Sequence, residues 1–241
     1  MLWILFIAAA AAALLFVYFF FGLSDLHFHK KPRAGMTRIA CMGDSITNGA
    51  LIPFCFFRSY PAVLEKILEK GFHAENFGLN GRTLQLSADR PFEREKEYRM
   101  AVSFAPDIAV IMLGTNDTKP QNWKGAEAFL AEYRRFLSDF RESSGCKDII
   151  LCTPVWGVNA KNRFQYFTND TDAAHLPEIA ECVRQIAREN GLRTVDLYAL
   201  TEGRRDLISY DGCHPNARGA GLIAAELARL ISRKCVIWSQ N

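Results

Sequence analysis

Apolar residues in this chain follow three patterns. The first is one unbroken segment, Met1 to Leu23, with no charged side chain. After it, short apolar runs alternate with segments whose apolar residues recur every three or four positions. The short runs Thr37 to Met42, His73 to Phe77, Ile108 to Leu113, Ile149 to Cys152 and Arg193 to Leu197 read as β-strands. Ile108 to Leu113 is continuously apolar, as expected of a strand covered on both faces. The periodic segments read as helices over Ser59 to Glu69, Glu93 to Val102, Gly125 to Glu142, His175 to Glu189 and Pro215 to Arg233. Ser59 stands at a capping position, Pro61 suits a first turn, and Gly71 marks a stop. In the third helix Phe129, Leu130, Tyr133, Phe136, Leu137 and Phe140 share one face.

Strands alternating with helices predict an α/β domain, with a mostly parallel sheet covered on both sides. Leu51 to Phe57 and Thr153 to Ala174 break the alternation. Both follow predicted strands, so both belong near the sheet edge where loops build pockets.

The opening segment is long enough to span a bilayer as a helix. A cleaved signal would have a basic start, a shorter apolar core and a small-residue exit. Here the start is uncharged and Phe19-Phe20-Phe21 fills the exit. The sequence therefore predicts a transmembrane anchor over 1–23, a polar linker over 24–36 and an α/β domain over 37–235. Lys30, Lys31 and Arg33 follow the anchor, which predicts a domain on the cytoplasmic side.

Composition narrows the partners. A net charge of +3 over 241 residues, without a long basic stripe, argues against nucleic acid. The basic run after the anchor reads as a contact with lipid headgroups. The 7 cysteines are scattered and odd in number. Cys41 and Cys152 fall in predicted core strands, so buried thiols are expected and not a disulfide framework. No Cys-x-x-Cys or Cys/His spacing points to zinc, so no metal is expected.

Candidate chemistry lies just after the strands. Ser45 follows the first, within Gly43-Asp44-Ser45-Ile46. Gly81 follows the second, within Gly78-Leu79-Asn80-Gly81, and Asn116 follows the third, within Gly114-Thr115-Asn116-Asp117. Asp211 and His214 precede the last helix, within Asp211-Gly212-Cys213-His214-Pro215-Asn216. Gly-Asp-Ser alone is an ordinary turn sequence. In a parallel sheet, though, residues following successive strands converge on one edge. Acyl transfer needs a nucleophile, a base, an orienting acid and donors for an oxyanion. Ser45, His214 and Asp211 fit the first three, as catalytic residues. The backbone N–H groups of Ser45 and Gly81 and the side-chain amide of Asn116 fit the oxyanion hole. A tight turn at Gly212 would let Asp211 hold one ring nitrogen of His214 while the other faces Ser45.

This set resembles the GDSL/SGNH hydrolase superfamily. The four blocks match in order and approximate spacing, and the resemblance runs from about Thr37 to Arg233. It implies a three-layer α/β/α sandwich on a flavodoxin-like parallel sheet of about five strands. It implies hydrolysis of small acyl esters or thioesters with no metal or organic cofactor. Asn80-Gly81-Arg82-Thr83 looks like arylesterase-type members. Gly114 to Asp117, running into Lys119-Pro120-Gln121-Asn122-Trp123, looks like bacterial carbohydrate-acetylesterase-like members, some of them labelled sialate O-acetylesterase-like. Cys213 departs from the usual residue at its position and is expected to be a packing residue. The N-terminal anchor is not a general feature of the family.

The expectation is thus a membrane-anchored serine esterase acting on a small-molecule acyl ester, with carbohydrate acetates favoured. Lysophospholipid or thioester cleavage, transacylation on the same triad, and a non-catalytic binding module on this scaffold are the alternatives. No oligomeric state is implied. Other residues carry plainer expectations. Asp44 and Asp117 read as structural turn carboxylates, and His73 and His175 as surface or packing residues. Arg82 suits either a substrate carboxylate or an ion pair. Trp123, Trp156, Phe164, Tyr166 and Phe167 would form a substrate platform or merely anchor their loops. The glycosylation triplets at Asn116 and Asn169 read as chance.

Overall fold

The computed structural model describes residues 2–20, 25, 29–158 and 171–238. In chain order its helices and strands are α1 (Leu2–Phe20), β1 (Thr37–Gly43), α2 (Ser45–Asn48), α3 (Cys55–Arg58), α4 (Tyr60–Leu68), β2 (Phe72–Gly78), α5 (Lys96–Ser103), β3 (Ile108–Met112), α6 (Ala126–Ser144), β4 (Asp148–Cys152), α7 (Leu176–Glu189), β5 (Arg193–Val195), α8 (Leu197–Thr201) and α9 (Ala217–Trp238). The five strands are parallel and lie in the order β2-β1-β3-β4-β5. That is the flavodoxin-like order, whose switch point falls between β1 and β3.

Period-two alternation along the strands divides the core between the two faces of the sheet. Met42, Ile111 and Leu151 pack with Phe129, Tyr133 and Phe136 of α6 and with Ile179 and Val183 of α7. Cys41, Val110 and Ile150 pack on the other face with Tyr60 and Leu64 of α4 and with Ile223 and Leu227 of α9. All six residues expected on the inner face of α6 are buried. Cys41, Cys55, Cys146, Cys152, Cys182 and Cys213 are all buried. Burial pushes the Cys41 and Cys152 thiols well up, so both remain inert packing groups.

The edge strand β2 is blunted by side chains. Glu65 Oε2 accepts the Ala74 N–H at 2.9 Å, and Asn76 Oδ1 accepts the Gly78 N–H at 2.9 Å. Gly43 and Gly78 sit side by side at the ends of β1 and β2. A Cβ on Gly43 would come within 2.1 Å of Thr47 Oγ1, and one on Gly78 within 2.3 Å of the Asn48 nitrogen. Both glycines let α2 settle directly on the strand ends.

Several expectations are corrected. Arg193 to Leu197 is strand only to Val195, because the Asp196 side chain accepts the Ala199 N–H and starts α8 at Leu197. Within Glu93 to Val102 the helix begins at Lys96, after a 3-10 turn over Phe92–Arg94. Leu51 to Phe57 contains the start of the short helix α3. Helix α4 ends at Leu68, so the chain turns at Glu69, with φ +58°, before it reaches Gly71.

The membrane-spanning helix expected over Met1 to Leu23 is also corrected. Among the described residues, no helix is long and apolar enough to cross a membrane. Helix α1 stops at Phe20, and its described side chains run from Trp3 to Phe16. Its large apolar side chains, among them Trp3, Phe6 and Phe16, are exposed.

Candidate active site

Asp44, Ser45 and Ile46 make the sharp passage from β1 into α2. Asp44 is the N-cap, and its Oδ1 accepts the Ile46 N–H at 2.9 Å. Ser45 becomes the first helical residue, a position whose N–H has no partner within a helix. Its hydroxyl lies 2.7 Å from His214 Nε2. The other ring nitrogen, Nδ1, bonds Asp211 Oδ2. Asp211 Oδ1 accepts the N–H groups of Cys213 at 3.2 Å and His214 at 3.1 Å. One carboxylate thus fixes both the turn and the ring. Gly212 supplies the positive φ, +80°, that this turn requires.

Burial alone would raise the Asp211 carboxyl, but the hydrogen bond and charge of His214, with the two backbone donors, hold it below the usual carboxylate range. Asp211 is therefore ionised at neutral pH. With Nδ1–H donated to Asp211, Nε2 of neutral His214 is left as the acceptor facing Ser45.

The structure brings Gly81 and Asn116 to the same place through their neighbours. Asn48 of α2 donates to Asn80 Oδ1 at 2.9 Å, on one side of Gly81. Asn116 Nδ2 donates to the Arg82 carbonyl at 3.1 Å, on the other side. The Gly81 N–H has no acceptor among the described residues. The reason for a glycine here differs from the expected one: φ is +77°, while an added Cβ would meet only the Arg90 side chain, at 3.3 Å. Asn116 differs as well, because its amide is not idle. The amide nitrogen donates to the Arg82 carbonyl and lies 3.4 Å from Asp44 Oδ2, longer than an ordinary hydrogen bond. The hydrogen toward Asp44 is thus the more weakly held of the two.

The remaining candidates sort on contacts. Asp117 is structural: its two oxygens accept the N–H groups of Leu84 and Gln85, each at 2.9 Å. Burial pushes its carboxyl up to about 7 and that of Asp44 up to about 6. Arg82 pairs with Asp25 and Glu95, each at 3.0 Å, so it is an ion-pair residue. His73 is buried between Glu65 and Glu75, and His175 packs on Trp123 with ring centres 5.1 Å apart. Trp123 also packs on Phe129 and anchors its loop. Cys213 is buried beside Thr171. Asn116 is buried, so its glycosylation triplet is chance. Phe164, Tyr166, Phe167 and Asn169 lie outside the described residues.

Two functional features were not foreseen. One is Asp44, whose pairing with Asn116 is a tertiary contact; only its capping position before a helix was signalled by sequence. The other is the Arg82 carbonyl, a backbone group with no sequence signature. A groove of about 1190 Å³ runs between Lys30–Arg33, α4 and β2, and none of the five site residues lines it.

Comparison with known proteins places this geometry in a family. Residues 41–222 match the GDSL-like lipase/acylhydrolase family. An acetylxylan esterase of Xylanibacter ruminicola is 33% identical over 218 residues, which is 83% of this chain and 44% of that relative. The chain therefore spans less than half of its curated relative. A candidate arylesterase from Agrobacterium tumefaciens strain C58 superposes with a TM-score of 0.63 at 25% identity, over 82% of this chain and 99% of that one. A carbohydrate acetylesterase family member from Sinorhizobium meliloti superposes with a TM-score of 0.63 at 23% identity, over 81% and 97%. The match covers the strand-end motifs and the histidine loop alike, and the chain belongs to the GDSL-like lipase/acylhydrolase family.

Proposed function

We propose that this protein removes short acyl groups, acetyl foremost, from carbohydrate esters through an acyl-enzyme on Ser45. The observation that carries the reading is the Ser45 Oγ–His214 Nε2 contact of 2.7 Å, with Asp211 on the opposite ring nitrogen. His214 Nε2 takes the hydroxyl proton as Oγ bonds to the ester carbonyl carbon. Negative charge moves to the carbonyl oxygen, which meets the N–H groups of Ser45 and Gly81 and the Asn116 amide. The bond to the alcohol oxygen breaks as His214 returns its proton to that oxygen. Water then attacks the acyl-enzyme, giving its proton to His214, and the acid leaves as Oγ regains a proton. Asp211 stabilises the imidazolium throughout. No step calls for a metal or an organic cofactor.

The carbohydrate preference is supported by the acetylxylan esterase relative and by the carbohydrate acetylesterase neighbour. A short acyl group is supported by the same two proteins, one named an acetylxylan esterase and the other a carbohydrate acetylesterase family member. Assay of the full chain on p-nitrophenyl esters of rising chain length and on acetylated sugars tests both. Fastest turnover of an acetate, and release of acetate from a sugar, is expected. A preference for long acyl chains would favour lysophospholipid or thioester cleavage, and ester formation with an added alcohol would mark a transacylase.

Localisation is part of the same proposal. The uncharged N-terminal segment holds the enzyme at a membrane, with the catalytic domain on the cytoplasmic side. The exposed apolar side chains of α1 and the basic run Lys30, Lys31 and Arg33 support this. Recovery in the washed membrane fraction is expected. A Lys31→Cys variant labelled by an impermeant thiol reagent in intact cells would contradict the sidedness.

A further inference from the structure

Arg90 stands over the glycine that offers one of the oxyanion donors. Its Nη1 lies 3.3 Å, and its Cδ 3.8 Å, from where a Cβ on Gly81 would be. The backbone there is pinned, since the Arg90 carbonyl accepts the Thr83 N–H at 2.9 Å. The side chain is exposed, and its guanidinium has no ion pair or hydrogen bond with the described residues. Among the described residues, the carboxylates around this loop hydrogen-bond to other groups. Asp25 and Glu95 pair with Arg82. Asp89, next in sequence, turns its oxygens to Asn122 at 2.9 Å and Gln121 at 3.4 Å. Asp44 is buried and holds the Ile46 N–H. Asp172 caps Ala174 and faces His175.

A second cation borders the same opening. Lys119 directly follows the Asn116 turn, and its charge acts on both Asp44 and Asp89. It too has no ion pair among the described residues. Beside the oxyanion donors stand two positive charges without an ion pair among the described residues, tempered by the exposed carboxylate of Asp89, on which both act. A planar guanidinium with free N–H donors matches a carboxylate in two-point contact. The partial neutralisation by Asp89 suits a singly charged carboxylate better than a doubly charged phosphate.

We infer that Arg90, with Lys119 beside it, forms an anion-recognition subsite, and that the preferred substrate is an acyl ester of a carboxylate-bearing sugar. This rests on the esterase reading above and names its substrate class. Arg90 acts on the substrate's remote carboxylate and leaves the acyl transfer to Ser45 and His214. Its contribution should therefore appear in KM.

The test compares mono-acetylated glucuronic acid with mono-acetylated glucose on the full-length enzyme, with p-nitrophenyl acetate as a control. A hydrogen bond to a charged group supports a preference of about tenfold in kcat/KM for the acidic sugar at low salt, carried by KM. Added salt should shrink that preference. Arg90→Ala should bring the ratio between the two sugars close to one, and Arg90→Lys should restore part of it. Equal KM for both sugars in the wild type overturns the inference. So does an Arg90→Ala variant in which kcat falls on both sugars in the same proportion, because that marks an oxyanion role instead. Failure of the wild type to hydrolyse p-nitrophenyl acetate would remove the esterase reading itself, a result distinct from either.

Discussion

Asp44 Oδ2 and Asn116 Nδ2 stand 3.4 Å apart, with the two residues 0% and 2% exposed. The contact ties the turn that carries Ser45, the proposed nucleophile, to the side chain of Asn116, the proposed oxyanion donor. Asp44 does this with one oxygen while the other caps α2. Replacing it by alanine removes both functions. Loss of the cap should cost about 0.5–2 kcal/mol of stability. Loss of the restraint on Asn116 should lower kcat about tenfold with KM little changed. Asn at this position keeps a capping oxygen but turns a donor toward the Asn116 amide. Asp44→Asn should thus recover melting temperature without recovering kcat. Equal recovery of both would show that the pairing does not position Asn116.

Asn116→Ala isolates one proposed oxyanion donor. Loss of such a donor typically lowers kcat by roughly 10²–10³, and the ground-state carbonyl gains little from it, so KM should hold. The backbone carbonyl of Asn116, which accepts from Asn122 Nδ2 at 3.0 Å, is retained in the variant. Steady-state kinetics on p-nitrophenyl acetate, with a melting curve, decide the matter. Undiminished kcat in a folded variant would leave only the two backbone donors.

Asp117 gives a pH-dependent stability with a definite sign. Burial raises its folded carboxyl from 3.8 to about 7, so between those values the native state holds the proton more tightly than the unfolded chain. Stability contributed by this group is full below its unfolded value and is lost as pH rises through about 7. Asp117→Asn removes that dependence and also one of two backbone acceptors. The variant should therefore be the less stable protein at pH 4.5. The gap should narrow by at least about 1 kcal/mol by pH 8. Chemical denaturation at a series of pH values measures the gap; a constant or widening one contradicts the assignment.

Much of this fold was legible because long periodic segments leave little choice. Ile108 to Met112 is apolar at every position and became the central strand, and the six-residue face of α6 is buried as its spacing requires. The short helices were missed for the opposite reason. Helices α2, α3 and α8 have 4, 4 and 5 residues, too few to display a period. β5 was overrun at its end because Asp196, a cap, sits between apolar residues that read as one run.

In the site, residues whose chemistry demands a side-chain type stood out: serine, histidine, the aspartate three positions before it, and the amide of Asn116. What did not stand out depends on tertiary contact. The Arg82 carbonyl that holds Asn116, and the guanidinium of Arg90 over Gly81, follow from how the β2 loop folds back over α2.

Tyr133 offers a check on the core. Its ring is fully buried, yet its hydroxyl has no partner among the described residues. An unpaired buried hydroxyl costs free energy, so Tyr133→Phe should melt at the same temperature or higher. A loss of more than about 1 kcal/mol would mean that the hydroxyl is hydrogen-bonded in solution.

Everything in the proposed reaction passes through a covalent bond to Ser45 Oγ. Intact-protein mass spectrometry after treatment with a fluorophosphonate measures that bond directly. The wild type should gain one phosphonyl group, with the modified peptide containing Ser45. Ser45→Ala should gain none, and His214→Ala should react far more slowly. A wild-type protein that cleaves esters without taking up the label, or a Ser45→Ala protein that takes it up as the wild type does, would contradict Ser45 as the nucleophile.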